Sequence, residues 1–182
     1  VVPNEVAGHV ARALLLRGHS TVLAAGRGAG LAACASAAIA IGLGHAESIV
    51  ALASDELTER NLSDGFKVCA WGPGTDVVPG EGAAALVLES EGAAKARGAR
   101  ALARIIGFGL SSEAVSPCLG DRAKACLCAA EEALARAGVS PDDVASLVAG
   151  SRETGAPEDE INAMQRLFGG RLAPLSLAAR LG

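Results

Sequence analysis

The sequence predicts an α/β fold of stacked helix and sheet layers, and three observations carry that expectation. Apolar runs alternate along the chain with Ala-rich segments of helical spacing. Ser48-Ile49-Val50-Ala51-Leu52-Ala53 is apolar almost throughout, as in a strand of a parallel sheet covered on both faces. Glycine stands where most helical segments should stop: Gly18, Gly44, Gly98, Gly138 and Gly169-Gly170.

Composition bounds the rest. The 182 residues suffice for one domain with a sizeable core. Apolar residues make up 51% but aromatic residues only 2%, so Ala, Leu, Val and Ile must fill that core. The 23 glycines point to tight turns and closely packed helices. A net charge of -4 without a basic run argues against a nucleic-acid partner. No apolar stretch reaches the length of a membrane span; residues 29–43 come nearest and are interrupted by Gly30, Ser36 and Gly42. No signal peptide is legible, and a start at Val1 suggests a fragment or processed product. Cys34, Cys69, Cys118, Cys126 and Cys128 lack zinc-type pairing, Cys126-Leu127-Cys128 being one residue too short. They are expected to be free thiols in a reducing cytoplasm, with no metal.

In chain order, residues 5–17 read as a helix stopped by Gly18, with Val6, Val10, Ala13 and Leu14 at helical spacing. Thr21-Val22-Leu23-Ala24 is a short strand. It breaks at Ala24-Ala25-Gly26-Arg27-Gly28-Ala29-Gly30-Leu31 into a small-residue helix closed by Gly44. The strand at 48–53 follows, then a polar, Gly/Pro-marked loop over 55–79. A strand over 83–89, a helix over 91–97 and a strand over 102–110 come next. Asp121 caps a helix over 122–137, Ser140-Pro141-Asp142-Asp143 starts one further turn, and 145–149 is a strand. Pro157-Glu158-Asp159-Glu160 opens the last helix.

The break at Arg27 is the chemical focus. A sharp strand-to-helix turn holds one side chain at a helix N-terminus, where unpartnered N–H groups favour negative charge. Many folds place a nucleophile there. Arg27 occupies the spot, yet Arg is a permanently protonated donor and a cation is mildly unfavourable there. The alternative is a surface Arg in a slipped turn.

Several blocks resemble one family, the β-ketoacyl synthases of the thiolase fold. They are Pro3-Asn4-Glu5-Val6-Ala7-Gly8-His9; the run GEGAAALVLE from Gly80 to Glu89; Ala94-Lys95-Ala96-Arg97-Gly98-Ala99; Ile105 to Ala114; and Ala135-Arg136-Ala137-Gly138-Val139-Ser140-Pro141. Their order and spacing span nearly the whole chain. The resemblance implies a thiolase-like layered αβαβα fold, incomplete, with parts of both duplicated halves. The chain would be a single partial ketosynthase-like domain, 1–98 ending the first half and 99–182 starting the second. Such enzymes condense a malonyl group on acyl carrier protein with an acyl thioester on Cys, using Cys, His, His and a supporting Lys.

This chain departs from that set. In the family, Cys follows the helix-ending Gly by nine residues and precedes a Gly-x-Ala-Asp turn by seventeen; both counts, from Gly18 and to Gly44, fall on Arg27. The first family His falls on Ala149 in Leu147-Val148-Ala149-Gly150-Ser151, and the Lys on Ala178 in Ser176-Leu177-Ala178-Ala179-Arg180. Ala33-Cys34-Ala35-Ser36 copies the string around the family Cys. Cys34, however, lies about two helical turns inside the helix, without free N–H groups for an oxyanion. Cys34 is expected to be a core thiol, with a nucleophile as the alternative. His9, His19 and His45 are expected to be solvated or capping. Glu160 matches a family acidic position and reads as structural. Asp142-Asp143 and Glu158-Asp159-Glu160 complement helix dipoles.

The expectation is a catalytically silent synthase-like subunit similar to the chain-length factors of type II polyketide systems. Its partner would be an active ketosynthase or a second copy, with acyl carrier protein reached through the partner and no cofactor. Two alternatives stand beside it: an active 3-oxoacyl synthase using Cys34, and a degenerate structural fragment.

Overall fold

The computed structural model describes residues 5–60, 62–63, 80–112, 122–149, 157–172 and 175–176. The chain divides into two compact units, 1–55 with 82–104, and 56–81 with 105–182.

The first unit opens with α1, Glu5–Ala13. The sequence predicts a helix to residue 17, and the structure ends it earlier. Leu15 adopts φ 53, the left-handed conformation usually given to glycine. That lets Leu16 N–H reach Ala11 O at 2.8 Å while Leu15 N–H bonds Arg12 O at 3.4 Å, a closing pattern that caps the helix. Gly18, at φ 127, comes too late to act as the stop. Residues 19–25 form no strand. A 3-10 turn, Gly26–Gly28, then runs directly into α2, Ala29–Gly42. Gly44, at φ 75, ends α2 as expected, with His45 N–H bonding Ala40 O at 2.9 Å.

β1, Ser48–Asp55, pairs with β2, Gly82–Glu89, in register from Ser48↔Glu89 to Asp55↔Gly82. The pairing is antiparallel, against the parallel sheet expected from the apolar run at 48–53. One face packs on α2, where Ala35, Ala37 and Ala51 are buried. Gly30 allows the approach: a Cβ there would lie 3.2 Å from the Ala53 Cβ. The remaining coverage is thin, for Leu86 is 56% and Val87 65% exposed.

Ser90 N-caps α3, Glu91–Ala96, its hydroxyl accepting from Ala93 N–H at 3.1 Å. Gly98, at φ 68, closes it. Arg97 grips Glu89 at 2.5 Å, and Glu91 accepts from Lys95 at 2.6 Å and Arg104 at 3.1 Å.

The second unit is built on α4, Arg122–Ala137, and α5, Pro157–Phe168. Ala163, Met164 and Phe168 form its buried centre, flanked by Cys126, Leu127, Ala130 and Leu134. Gly138 at φ 64, and Gly169 and Gly170 at φ 61 and 70, end the two helices where the sequence predicts. Between them, Ser140 and Asp143 form a reciprocal capping box around a 3-10 turn, Pro141–Asp143. Arg171 donates to Pro141 O at 2.6 Å and Val144 O at 3.3 Å, tying that turn down. β3, Val148–Ala149, pairs parallel with β4, Leu175–Ser176.

Residues 101–112, predicted as a strand over 102–110, join no ladder. Gly107 and Gly109 instead lie directly on α4, against Ala133 and Ala137 and against Ala129. Glu132 accepts from Leu110 N–H at 3.1 Å and from Arg136 at 2.6 Å, and the Arg136 guanidinium sits 4.5 Å from the Phe108 ring centroid.

Candidate active site

The 3-10 turn that feeds α2 supplies the first part of the candidate site. Gly26, at φ 53, turns the chain, and Arg27 occupies the middle of the 3-10 turn that feeds α2. The Arg27 side chain lies outside the described residues. α2 begins at an N-cap glycine, Gly28, with no side-chain cap and no acid in its first turn. Its leading amides are therefore not bonded by a capping side chain, and the local field favours an anion.

Cys34 is a free, half-buried thiol in the sixth position of α2. Seven residues separate it from Arg27, about 10 Å of helical rise. Among the described residues no imidazole bonds to it. His9 lies on α1, its Nε2 3.7 Å from Glu5 and its Nδ1 accepting from Arg12 at 3.4 Å. His19 and His45 are exposed, and the His45 backbone closes α2.

The residues that the resemblance aligns with the family His and Lys, Ala149 and Ala178, fall in the second unit. Ala149 ends β3 and stands opposite Ser176 of β4. Ala178 lies outside the described residues, two positions beyond that ladder. Glu160 falls in the first turn of α5 with its side chain outside the described residues, and Asp143 serves the capping box.

Cys126 is half-buried and Cys128 exposed, neither in a disulfide. Two residues apart on a helix they point about 200° apart and cannot share a ligand. Cys69 and Cys118 lie outside the described residues. Among the described residues no group of three or more His, Cys, Asp or Glu could hold a metal, and no helix is long and apolar enough to cross a membrane.

Among the described residues, the carboxyls with shifted pKa values lie in the first unit, on β2 and α3. A hydrogen bond from Arg97, aided by its charge and opposed by partial burial, holds the Glu89 carboxyl below its usual range. Lys95, by hydrogen bond and charge, and Arg104, by charge, do the same for Glu91. The sequence reading missed these contacts and the clamp at Glu132. The Glu91–Lys95 and Glu132–Arg136 spacings of four were its available signal.

No family model matches the sequence. The chain is 37% identical over 193 residues to Nodulation protein E of Rhizobium leguminosarum bv. trifolii, covering 98% of this chain and 47% of that protein. It is 34% identical over 199 residues to 3-oxoacyl-[acyl-carrier-protein] synthase 2 of Rhizobium meliloti (strain 1021), covering 97% and 46%. Among solved structures, the ishigamide ketosynthase/chain length factor matches with TM-score 0.74 and 27% identity, over 90% of this chain and 44% of that one. The chain spans about half the length of the curated relatives it matches.

Proposed function

Because this chain belongs to the β-ketoacyl-(acyl carrier protein) synthase family and carries part of its thiolase-like fold, we propose that it is a non-catalytic synthase-like subunit. It supports acyl-chain condensation in type II fatty acid or polyketide synthesis by pairing with an active synthase. One observation carries the reading: Arg27, Ala149 and Ala178 jointly stand where the family carries Cys, His and Lys.

The chemistry explains why the joint loss matters. Condensation needs a thiolate to hold the acyl group, and donors to polarise carbonyls while malonyl loses carbon dioxide. A guanidinium is no nucleophile at any working pH. Two methyl groups supply no general acid, base or oxyanion donor. What remains is shape: a subunit that lines or limits the tunnel of an active partner. A ketosynthase/chain length factor among the structural neighbours supports a partner of that kind. Acyl carrier protein would be reached through that partner.

The test is turnover of malonyl-acyl carrier protein, by decarboxylation and by condensation, for the chain alone and co-expressed with a Cys-His-His synthase. The expected result is no turnover alone, and an altered product length with the partner when Arg27→Ala is introduced. Turnover by the isolated chain would overturn the reading. If that turnover also vanished in Cys34→Ala, with a cerulenin-like adduct mapped to Cys34, the Cys34 enzyme would replace it. Failure to bind any synthase would leave a structural fragment.

A further inference from the structure

Residues 105–110 of the second unit run without turn or bend and join no ladder among the described residues. They are held in place all the same. Gly107 and Gly109 lie on the main chain of α4: a Cβ at Gly107 would fall 3.0 Å from the Ala137 nitrogen, and one at Gly109 2.7 Å from the Ala129 carbonyl carbon. Alternation then sends Ile106 and Leu110 to the opposite face, where they are 57% and 59% exposed. Among the described residues, the one main-chain hydrogen bond of this segment runs from Leu110 N–H to Glu132 Oε2, at 3.1 Å.

In a strand the main-chain groups of alternate residues point to opposite edges. Glu132 therefore closes, at its end, the edge shared by Ile106, Phe108 and Leu110. The edge of Ile105, Gly107 and Gly109 has its N–H and C=O groups unbonded among the described residues. A fixed strand with such an edge is a template for another strand. Nothing in residues 105–110 blunts it, for they hold no charge and no proline. Length points to what covers it. The chain spans 47% of Nodulation protein E and 46% of the Rhizobium meliloti synthase, and its fold overlays 44% of the ishigamide ketosynthase/chain length factor chain. More than half of each lies in polypeptide with no counterpart in this sequence.

We propose that the edge of Ile105, Gly107 and Gly109 is a docking edge, and that its occupant is an apolar strand from the part of a family-length protein outside this sequence. Main-chain hydrogen bonds supply the affinity, as in other strand additions. Exposed Ile106 and Leu110 supply apolar cross-strand partners. The seat on α4 sets the shape of the segment before the incoming strand arrives, which lowers the cost of ordering it. The proposal does not depend on whether the chain turns malonyl groups over.

Amide hydrogen exchange on the full chain tests it, alone and co-expressed with the portion of the Rhizobium meliloti synthase that has no match here. Alone, the amides of Ile105, Gly107 and Gly109 should exchange as in an open chain, while Leu110 N–H is slowed and Glu132→Ala releases it. With the added portion the two polypeptides should co-elute, and the three amides should slow about tenfold or more. Ile105→Pro removes an N–H at the docking edge and should weaken co-elution; Ile106→Pro removes one at the other edge and should weaken it less. Protection of the three amides in the monomeric chain alone, no co-elution, co-elution without protection, or equal effects of the two prolines would each overturn the proposal. Protection that appears with dimers of this chain, or only with an intact Cys-His-His synthase, would give the edge to a different occupant and overturn it too.

Discussion

Replacing Gly109 by Ala tests how the second unit is built. Gly109 sits against the backbone of α4, and a Cβ there would fall 2.7 Å from the Ala129 carbonyl carbon and 3.0 Å from its Cα, with the carbonyl oxygen nearer still. All three are main-chain atoms held in a helix, so none can swing aside. Its φ lies outside the left-handed region, so Ala is acceptable to the local backbone and the cost is one of space. Overpacking of this kind costs about 1 to 3 kcal/mol. Ala also removes freedom from the unfolded chain, which returns about 0.4 to 1 kcal/mol. The net expectation is a loss of about 1 to 2 kcal/mol. Urea unfolding reads it as a lower midpoint at unchanged slope. Gly92→Ala is the control: it lies in α3 with nothing within 4 Å of a new Cβ, and should gain about 0.5 kcal/mol. If Gly109→Ala proved as stable as the parent, or gained like Gly92→Ala, the direct seating of this segment on α4 would be wrong.

Two further outcomes follow from the first unit. Leu15 holds φ 53 while 83% exposed, so Leu15→Gly should stabilise the chain by about 1 kcal/mol and raise its thermal midpoint; an unchanged or lower midpoint would count against the αL cap. Glu89 and Glu91 have lowered pKa values, so their contribution is full above the ordinary carboxylate range and is lost as pH falls through the lowered values. The urea midpoint should therefore drop on acidification, and Arg97→Gln should move the Glu89 titration, followed by carbon NMR, back up toward its ordinary range; a titration unmoved by that change would exclude Arg97 as the cause.

Much of this was legible in residue order because it is local. Helix ends at Gly44, Gly98, Gly138 and Gly169 follow from a glycine's tolerance of positive φ, and all four have it. The same rule failed at Gly18, because Leu15 took the left-handed position first and closed the hydrogen-bond pattern three residues earlier. Strands were less legible. Thr21 to Ala24 and Leu102 to Leu110 are apolar enough for a sheet, yet a ladder needs a partner, and pattern alone does not supply one. The direction of β2 was hidden likewise, since a continuous apolar run reads the same in a parallel or an antiparallel pair. Around Arg27 the glycine pair marked the turn. The seating of α2 on β1 needed the Gly30–Ala53 contact, 23 positions apart along the chain.

The order of α2, β1 and β2 along the polypeptide bears on how the layer assembles. α2 and β1 are neighbours joined by a tight reversal at Gly44, whereas 26 residues of sequence separate the end of β1 from the start of β2. Closing a connection of that length costs little at equilibrium, because each doubling of loop length adds only about 0.6 kcal/mol. Its weight falls on time: distant contacts form late and slow the search. The helix–reversal–strand piece should therefore condense first, with β2 as the rate-limiting arrival, and on a ribosome the strand edge of β1 would wait uncovered until Gly82 to Glu89 emerged.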